Sequence, residues 1–352
     1  MNIKNNYSSK ELNIIDRREI TQSITVDSLY RRNYKTSLSN DFVFEFPTQI
    51  SNVISMRLSS MELPNTWYIF TEYNNKFTIN MTYTSDDNSL NEKIFATPGT
   101  YEYNITLSPG NYTTTTLTSA LNEYFITNSV YEYPDLSQNF LKYLIFEIDN
   151  YSNKSIFRFR NEEEAVEANI ITDLTSLGGN KTYDSDVLTK ISYDISFKVN
   201  VPICIDFPEY ETAGWIIGYR KSEYQNITKS NSIVKWGKPY YGILESEGIF
   251  GANKMNYVFL SVNDFVGNSK DNVITGFGSR SHICKNLLGR IAIKYGSFYI
   301  NMDMDDQIFR QRDYFGPVNI KKIHVKLIDK YGSLLDLNGS DFSFILEFIQ
   351  TR

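Results

Sequence analysis

Two cysteines and two histidines are all that the 352 residues contain, and their scarcity removes whole classes of chemistry. Cys204 and Cys284 are too few for a disulfide framework and are not spaced as a metal motif. His324 alternates with Ile323 and Val325, which puts it on the polar face of a strand as a solvated surface residue. In SRSHICK, His282 stands two residues from Cys284, and Asp264 or Asp271 could approach in space. A thiol–imidazole nucleophile needs partners fixed in three dimensions, and this spacing does not supply them. An ordinary loop histidine and a buried thiol are the plainer reading.

Long apolar runs are missing as well. YLIFEI and GWIIGY are far too short to span a bilayer, so no transmembrane segment is expected. The polar, lysine-bearing start MNIKNNYSSKE has no secretory pattern, which points to a soluble, reduced protein made in a cytoplasm. Sequons at Asn104, Asn111 and Asn226 are what an Asn-rich chain produces by chance. A net charge of −6 and a pI near 5.2 argue against whole-surface binding to nucleic acid but leave room for a local basic patch.

Phosphate and cation motifs are equally thin. GFGSRS lacks the third glycine and the strand–helix setting of a dinucleotide loop. NMDMDDQ gathers Asp303, Asp305 and Asp306, but a calcium loop counted from Asp303 would place Ile308 and Tyr314 where glycine and glutamate are required. EEEAVEA (residues 162–168) reads as a solvated charged turn or helix start. No catalytic, cofactor-binding or metal-binding residue is assigned.

Aromatic residues, by contrast, are abundant: 26 Tyr and 23 Phe bring the aromatic share to 15%. They suit half-buried pleated surfaces. FVFEF alternates Phe42, Phe44 and Phe46 with Val43 and Glu45, and Pro47 is read as its end. In VISMRLSSMEL, Ile54, Met56 and Leu58 share a face before the phase shifts to Met61 and Leu63. That shift predicts a β-bulge at Ser59-Ser60. Further strands are read at KFTINMTY, TYEYNITL, ISFKVN, GWIIGYR, YVFLSVNDF and RIAIKY, with a hairpin from YLIFEI to SIFRFR. Leu117, Leu121 and Phe125 recur with helical period, predicting one short amphipathic helix over 113–125, and ITDLTSLGG reads as a helical turn.

Near the C-terminus, Tyr314–Phe348 reads as two strands joined by a link with turn chemistry at Tyr331-Gly332 and Asn338-Gly339. About a dozen short strands without a repeat predict an all-β, antiparallel jelly-roll sandwich. A single roll with inserted elements is favoured over two rolls. Residues 1–39 lack an apolar period and read as an extended N-terminal arm. Residues 40–352 form the roll, with a possible inserted subdomain within 108–230. Trp67, Tyr68 and Phe70, and Trp236 with Tyr240 and Tyr241, lie in loop-like settings where rings stack on sugars, fill interfaces or pack under loops.

FVFEFPTQISNVISMRLSSMELPNTWYIF, SPGNYTTTTLTSALN, AGWIIGYRKSEY and RDYFGPVNIKKIHVKLIDKYGSLLDLNGSDFSFILEF together resemble a family of jelly-roll virion proteins of large nucleocytoplasmic DNA viruses. The mimivirus-like and algal-virus groups are nearest, and the likeness runs in order from about residue 40 to the end. Its most specific pieces are ELPNTWY, GWIIGYR and YFGPV…LDLNGSDFSF. The likeness is to minor-capsid or penton-type proteins rather than to the double jelly-roll major capsid protein. It implies a structural, non-enzymatic subunit with no cofactor, at fivefold vertices or cementing the shell of a virion assembled in host cytoplasm. Its partners would be copies of itself (a pentamer), the major capsid protein and other minor capsid proteins, without specific nucleic-acid binding. A sugar-binding jelly roll stacking on Trp67 or Trp236 is the alternative reading, and a hydrolase is the third.

Overall fold

The computed structural model describes residues 19–84, 98–127, 140–167, 187–198, 212–235, 238–251, 255–267, 286–294, 296–304, 311–330 and 332–351. The chain divides into two compact units, Met1–Trp67 with Met255–Arg352 (unit 1) and Tyr68–Lys254 (unit 2). Every strand pairing among the described residues is antiparallel, so the expected all-β class is borne out.

Unit 1 is built on β1 (Glu19–Asp27), β2 (Asp41–Pro64), β12 (Tyr257–Asn263), β13 (Leu287–Ala292), β14 (Ile300–Met304), β15 (Gln311–Ile328) and β16 (Ser343–Thr351). They pair in the order β1-β16-β2-β15-β12-β13, with β14 also on β2. FVFEF and FSFILEF therefore share one body, and Phe42, Phe46, Phe344 and Phe348 are buried in its core. Phe44, expected with them, is only half-buried and packs edge-on against Phe46.

The predicted bulge is present. Ile345 faces Ser60 and Leu346 faces Leu58, which leaves Ser59 without a partner on β16. The extra residue lets Met56 and Leu58 on one side, and Met61 and Leu63 on the other, all enter the core. A second bulge was not foreseen. Ile349 faces Ser55 and Gln350 faces Val53, so Ile54 is skipped and Val53, not Ile54, is fully buried.

Pro47 does not end the strand, because β2 continues to Pro64. The ladder to β15 jumps from Lys322↔Glu45 to Ile320↔Ile50, so Pro47 sits where no backbone N–H is required. The two C-terminal strands are also not neighbours. β15 and β16 lie on opposite sides of β2, joined through a turn in which Asn338 (φ 49°) and Gly339 (φ 75°) take the left-handed conformation.

The arm is corrected over its described half. Residues 19–27 form β1, registered residue for residue on β16 from Glu19↔Thr351 to Asp27↔Ser343. Val26 is fully buried in unit 1's own core, and the half-buried Ile24 packs against it. Arg31 pairs with Asp341 at 2.5 Å and donates to the Ser28 carbonyl at 2.7 Å. These groups are satisfied within the chain and do not wait for a neighbour. Ile14, Ile15, Arg17 and Arg18 lie outside the described residues.

Unit 2 distributes shorter strands among three sheets. β3 (Lys76–Tyr83), β4 (Gly99–Thr106), β7 (Ile191–Ser196) and β8 (Glu223–Thr228) form one, in the order β4-β3-β7-β8. β5 (Leu144–Ile148), β6 (Lys154–Phe159) and β11 (Leu244–Ile249) form the second, and β9 (Ile233–Lys235) and β10 (Lys238–Tyr240) the third. The expected hairpin from YLIFEI is the β5–β6 pair. The predicted helix is α1 (Thr114–Thr127), which buries Leu117, Leu121 and Phe125 as its spacing requires.

GWIIGYR is not a strand. Thr212 caps a helical turn, Ala213–Ile216, by accepting from the Trp215 N–H, and Gly218 (φ 106°) then reverses the chain. A side chain at Gly214 would overlap the Phe197 ring, so glycine sets how closely this turn packs. ITDLTSLGG lies outside the described residues.

Candidate functional site

Among the described residues, the buried charged groups are tied to one another. Asp264, at the end of β12, is buried and accepts from Arg312 Nη1 at 2.8 Å and from the Tyr314 hydroxyl at 2.7 Å. Arg312 also donates to the Val262 carbonyl at 2.8 Å. Burial, and next the Asp264 charge, push the Tyr314 hydroxyl well above the usual phenol range, so it stays a donor. A carboxylate spent on two donors in a buried site is a clamp between β12 and β15, not a base awaiting substrate. The other members of the proposed thiol site, His282, Cys284 and Asp271, lie outside the described residues, as does Cys204.

Arg158 organises the corresponding cluster in unit 2. From β6 its guanidinium reaches Glu147 at 2.8 Å and Glu164 at 2.6 Å, and it lies 4.8 Å from the Tyr240 ring centre. Burial alone would raise the Glu164 carboxyl, but the hydrogen bond and charge of Arg158 outweigh it and lower the pKa. EEEAVEA is thus only partly the solvated element expected. Its helix, Glu162–Glu167, carries Glu164 into a partly buried ion pair, with Asn161 donating its backbone N–H to the same carboxylate.

Beside this cluster is a shallow cleft of about 190 Å³, lined among others by Glu147, Asp149, Tyr151, Lys235 and Tyr240. Each of its acids meets a cation: Asp149 meets Lys235 at 3.3 Å and Glu245 meets Lys154 at 2.9 Å. Paired carboxylates of this kind do not offer the free acid and base that glycoside hydrolysis needs.

The aromatic candidates separate by burial. Trp67 and Phe70 are core residues, Tyr68 is 39% exposed, and Tyr240 and Tyr241 are half-buried. Trp67 is therefore not a sugar-stacking platform. Trp236 lies outside the described residues. His324 is not free in solvent but half-buried, with Nε2 2.5 Å from Asp41 Oδ1. Asp303 faces Met61 in the β14–β2 ladder, while Asp305 and Asp306 lie outside the described residues. Among the described residues no helix is long and apolar enough to cross a membrane, and no three acidic, histidine or cysteine side chains gather as a metal site.

No family model and no curated protein matches the chain. Among solved structures it is similar to the mavirus penton protein, at 8% identity and TM-score 0.43, over 95% of this chain and 100% of that one. It is also similar to a chain of the Sputnik virophage solved by electron cryo-microscopy, at 12% identity and TM-score 0.40, over 94% and 98% of the two chains.

Sequence reasoning missed a face. On β15, Lys322 and Lys326 lie on the outward side with His324, opposite Glu45, Asp41 and Val43 of β2. Phe265 follows β12 with φ 59° and is 51% exposed, its ring 4.7 Å from Lys322 Nζ. The alternation in KKIHVK showed which residues point outward. Nothing local in the sequence showed that Phe265 stands among them.

Proposed function

We propose that the chain is a structural subunit of an icosahedral virus capsid, a penton at fivefold vertices or a minor protein cementing the shell, and that it acts without catalysis. The observation that carries this reading is where the most specific stretches of family likeness fall. ELPNTWY and LDLNGSDFSF clasp each other: Thr66 Oγ1 donates to the Leu337 carbonyl at 2.7 Å, and Asn338 Nδ2 donates back to the Thr66 carbonyl at 2.5 Å. YFGPV is the irregular step in β15 between Asp313↔Ser55 and Val318↔Val53. GWIIGYR is the glycine-packed turn over Phe197. Each stretch is a joint of the fold, and none surrounds a reactive group.

Such a subunit resides in the virion and is assembled in the host cytoplasm. Its partners are copies of itself, the major capsid protein and other minor capsid proteins. Residues 1–39 remain the proposed arm. Since β1 is already paired with β16 of the same chain, contact with neighbours is assigned to residues 1–18, with Lys4, Lys10, Arg17 and Arg18.

The test is quantitative mass spectrometry of purified, salt-washed particles, together with cross-linking. The expected result is a fixed ratio to the major capsid protein and cross-links to it. Absence of the chain from washed particles overturns the reading.

A further inference from the structure

β1 is the end strand of unit 1's sheet, and β16 takes only one of its two edges. Which backbone groups face the other edge follows from the pairing. Ser28 donates its N–H to the Phe342 carbonyl at 2.9 Å, one step beyond Asp27↔Ser343 in the same register. Hydrogen-bonded pairs alternate along an antiparallel ladder. Val26, Ile24, Gln22 and Ile20 are therefore the residues that bond to β16. Thr21, Ser23 and Thr25 turn their N–H and C=O groups the other way. Among the described residues no strand meets those groups.

The other described sheet edges are short, irregular or capped. β13 and β14 have six and five residues, and β9 and β10 three each. β8 and β11 carry register shifts. α1 caps two more edges with side chains. Its Asn122 bonds both the N–H and the carbonyl of Phe146 on β5, at 2.8 and 2.9 Å. Its Tyr124 hydroxyl donates to the Asn104 carbonyl on β4 at 2.8 Å. β1 has none of these devices. It runs nine residues without a register shift, and EITQSITVD contains no proline and no lysine. Proteins normally blunt open edges because they invite strand addition. A plain edge among blunted ones is available for it.

We propose that the outer edge of β1 takes a strand from a different protein, an extended β-branched segment with Lys or Arg at its ends. Backbone groups repeating at every second residue are matched by another extended backbone, not by lipid or nucleic acid. Charge selects the rest. Glu19 and Asp27 stand at the two ends of β1, with no cation between them. A second copy's β1 laid antiparallel about Ser23 would set Glu19 against Asp27 at both ends. Like charges directly opposite are unfavourable, whereas a segment with cations there gains at both. Ile24 and Val26 face the core, with Ile20 in the same phase, while Thr21, Ser23 and Thr25 are exposed. The incoming strand therefore alternates apolar and hydroxyl side chains. This inference goes beyond the capsid reading and does not rest on it.

The experiment is fluorescence anisotropy of a labelled peptide, lysine–valine–threonine–valine–threonine–valine–lysine, titrated with the full chain. Its control is the same peptide N-methylated at each internal amide, which cannot donate to a neighbouring strand. Ser23→Pro removes an N–H that points away from β16 and sets a ring on the edge, so the variant should melt as wild type. Wild type is expected to bind the peptide, and Ser23→Pro to bind it roughly tenfold or more weakly. Should Ser23→Pro fail to fold, Thr21→Lys/Thr25→Lys, at two exposed side chains, is expected to lose the peptide in the same way. No binding by wild type, equal binding of the N-methylated control, or unchanged binding by a folded variant overturns the proposal. So does a wild-type dimer in sedimentation that Ser23→Pro dissolves, which gives the edge to a second copy. Binding that emerges only when residues 1–18 are deleted overturns it too, by giving the edge to the chain's own N-terminal segment. Presence of the chain in washed particles, measured separately, decides the capsid reading alone.

Discussion

In unit 1 a single sheet runs through every described strand, and 7 of the 27 residues of its main buried cluster are aromatic; in unit 2 the strands divide among three sheets, and the aromatic share is 15 of 33. Continuity of the sheet explains the difference. A 24-residue strand such as β2 pairs its backbone in long ladders, with β15 over Asp41–Arg57 and with β16 over Val53–Glu62, and its core is filled mostly by aliphatic side chains. Short strands in separate sheets leave gaps and unbridged carbonyls, and rings that end in hydroxyls meet both needs. Tyr193 on β7 donates across to the Gly242 carbonyl at 2.6 Å, with the Phe157 carbonyl also within reach at 3.1 Å. Tyr219 sits within reach of the Ser155 and Leu244 carbonyls, at 3.2 and 3.0 Å. Unit 1 is held by register and unit 2 by bolts.

The strongest way to break that comparison is to disturb the register. Deleting Ser59 removes the bulge and turns either Met56 and Leu58 or Met61 and Leu63 to the wrong face. Each of these side chains is essentially fully buried, and each contributes about 1.5–3 kcal/mol. Loss of two should leave unit 1 unfolded or close to it, seen as loss of its melting transition. Ser59→Ala, which keeps the residue count, should change little. A deletion variant that melts as wild type would show that register does not hold this unit.

The bolts are tested next. Tyr193→Phe keeps the ring against Phe159 and removes only the hydroxyl. It strips the buried donor from the Gly242 carbonyl, for an expected cost of about 1–3 kcal/mol, read as a lower midpoint in urea with an unchanged slope. Phe157→Ala removes a ring that meets Phe77, Phe125, Phe146 and Tyr219, and should cost more, about 3–5 kcal/mol. A hydroxyl deletion without effect would reduce Tyr193 to packing and weaken the contrast between the units.

What the sequence made legible follows the same division. Period-two alternation exposed the Ser59 bulge and the β5–β6 hairpin, and a helical period exposed α1, because each is written in nearby residues. The partners of β15 and β16 were not legible, since both face β2 from more than 250 positions away in sequence. Composition misjudged β1: eight of its nine residues keep some exposure, so it looked like a tail, yet nine backbone pairs and Val26 seat it on β16. GWIIGYR read as a strand because its apolar run hides the packing demand of Gly214 and the reversal at Gly218. Of the candidate sites, the sequence could nominate Asp264 but not its use. Arg312 and Tyr314 lie on another strand, and only the fold makes them its partners.

The smallest expected effect sharpens the comparison from the side of charge. Glu164 in unit 2 has a carboxyl pKa lowered from 4.5, because its pairing with Arg158 outweighs burial. A group with a lower pKa folded than unfolded stabilises the fold fully above its unfolded value and loses that contribution as pH falls through its folded value. Unit 2 should therefore lose the Arg158–Glu164 contribution only below about pH 4.5, progressively as the carboxyl takes up its proton. Glu164→Gln keeps the shape and removes the charge, so at neutral pH it should lower the unit 2 transition by about 1.5–3 kcal/mol, the range for a hydrogen bond to a charged group. The gap between wild type and variant should then close as the solution is acidified, while both proteins drift downward together from their other carboxylates. The absence of a gap at neutral pH would mean that Glu164 acts through shape alone, leaving the aromatic bolts as unit 2's main fastening.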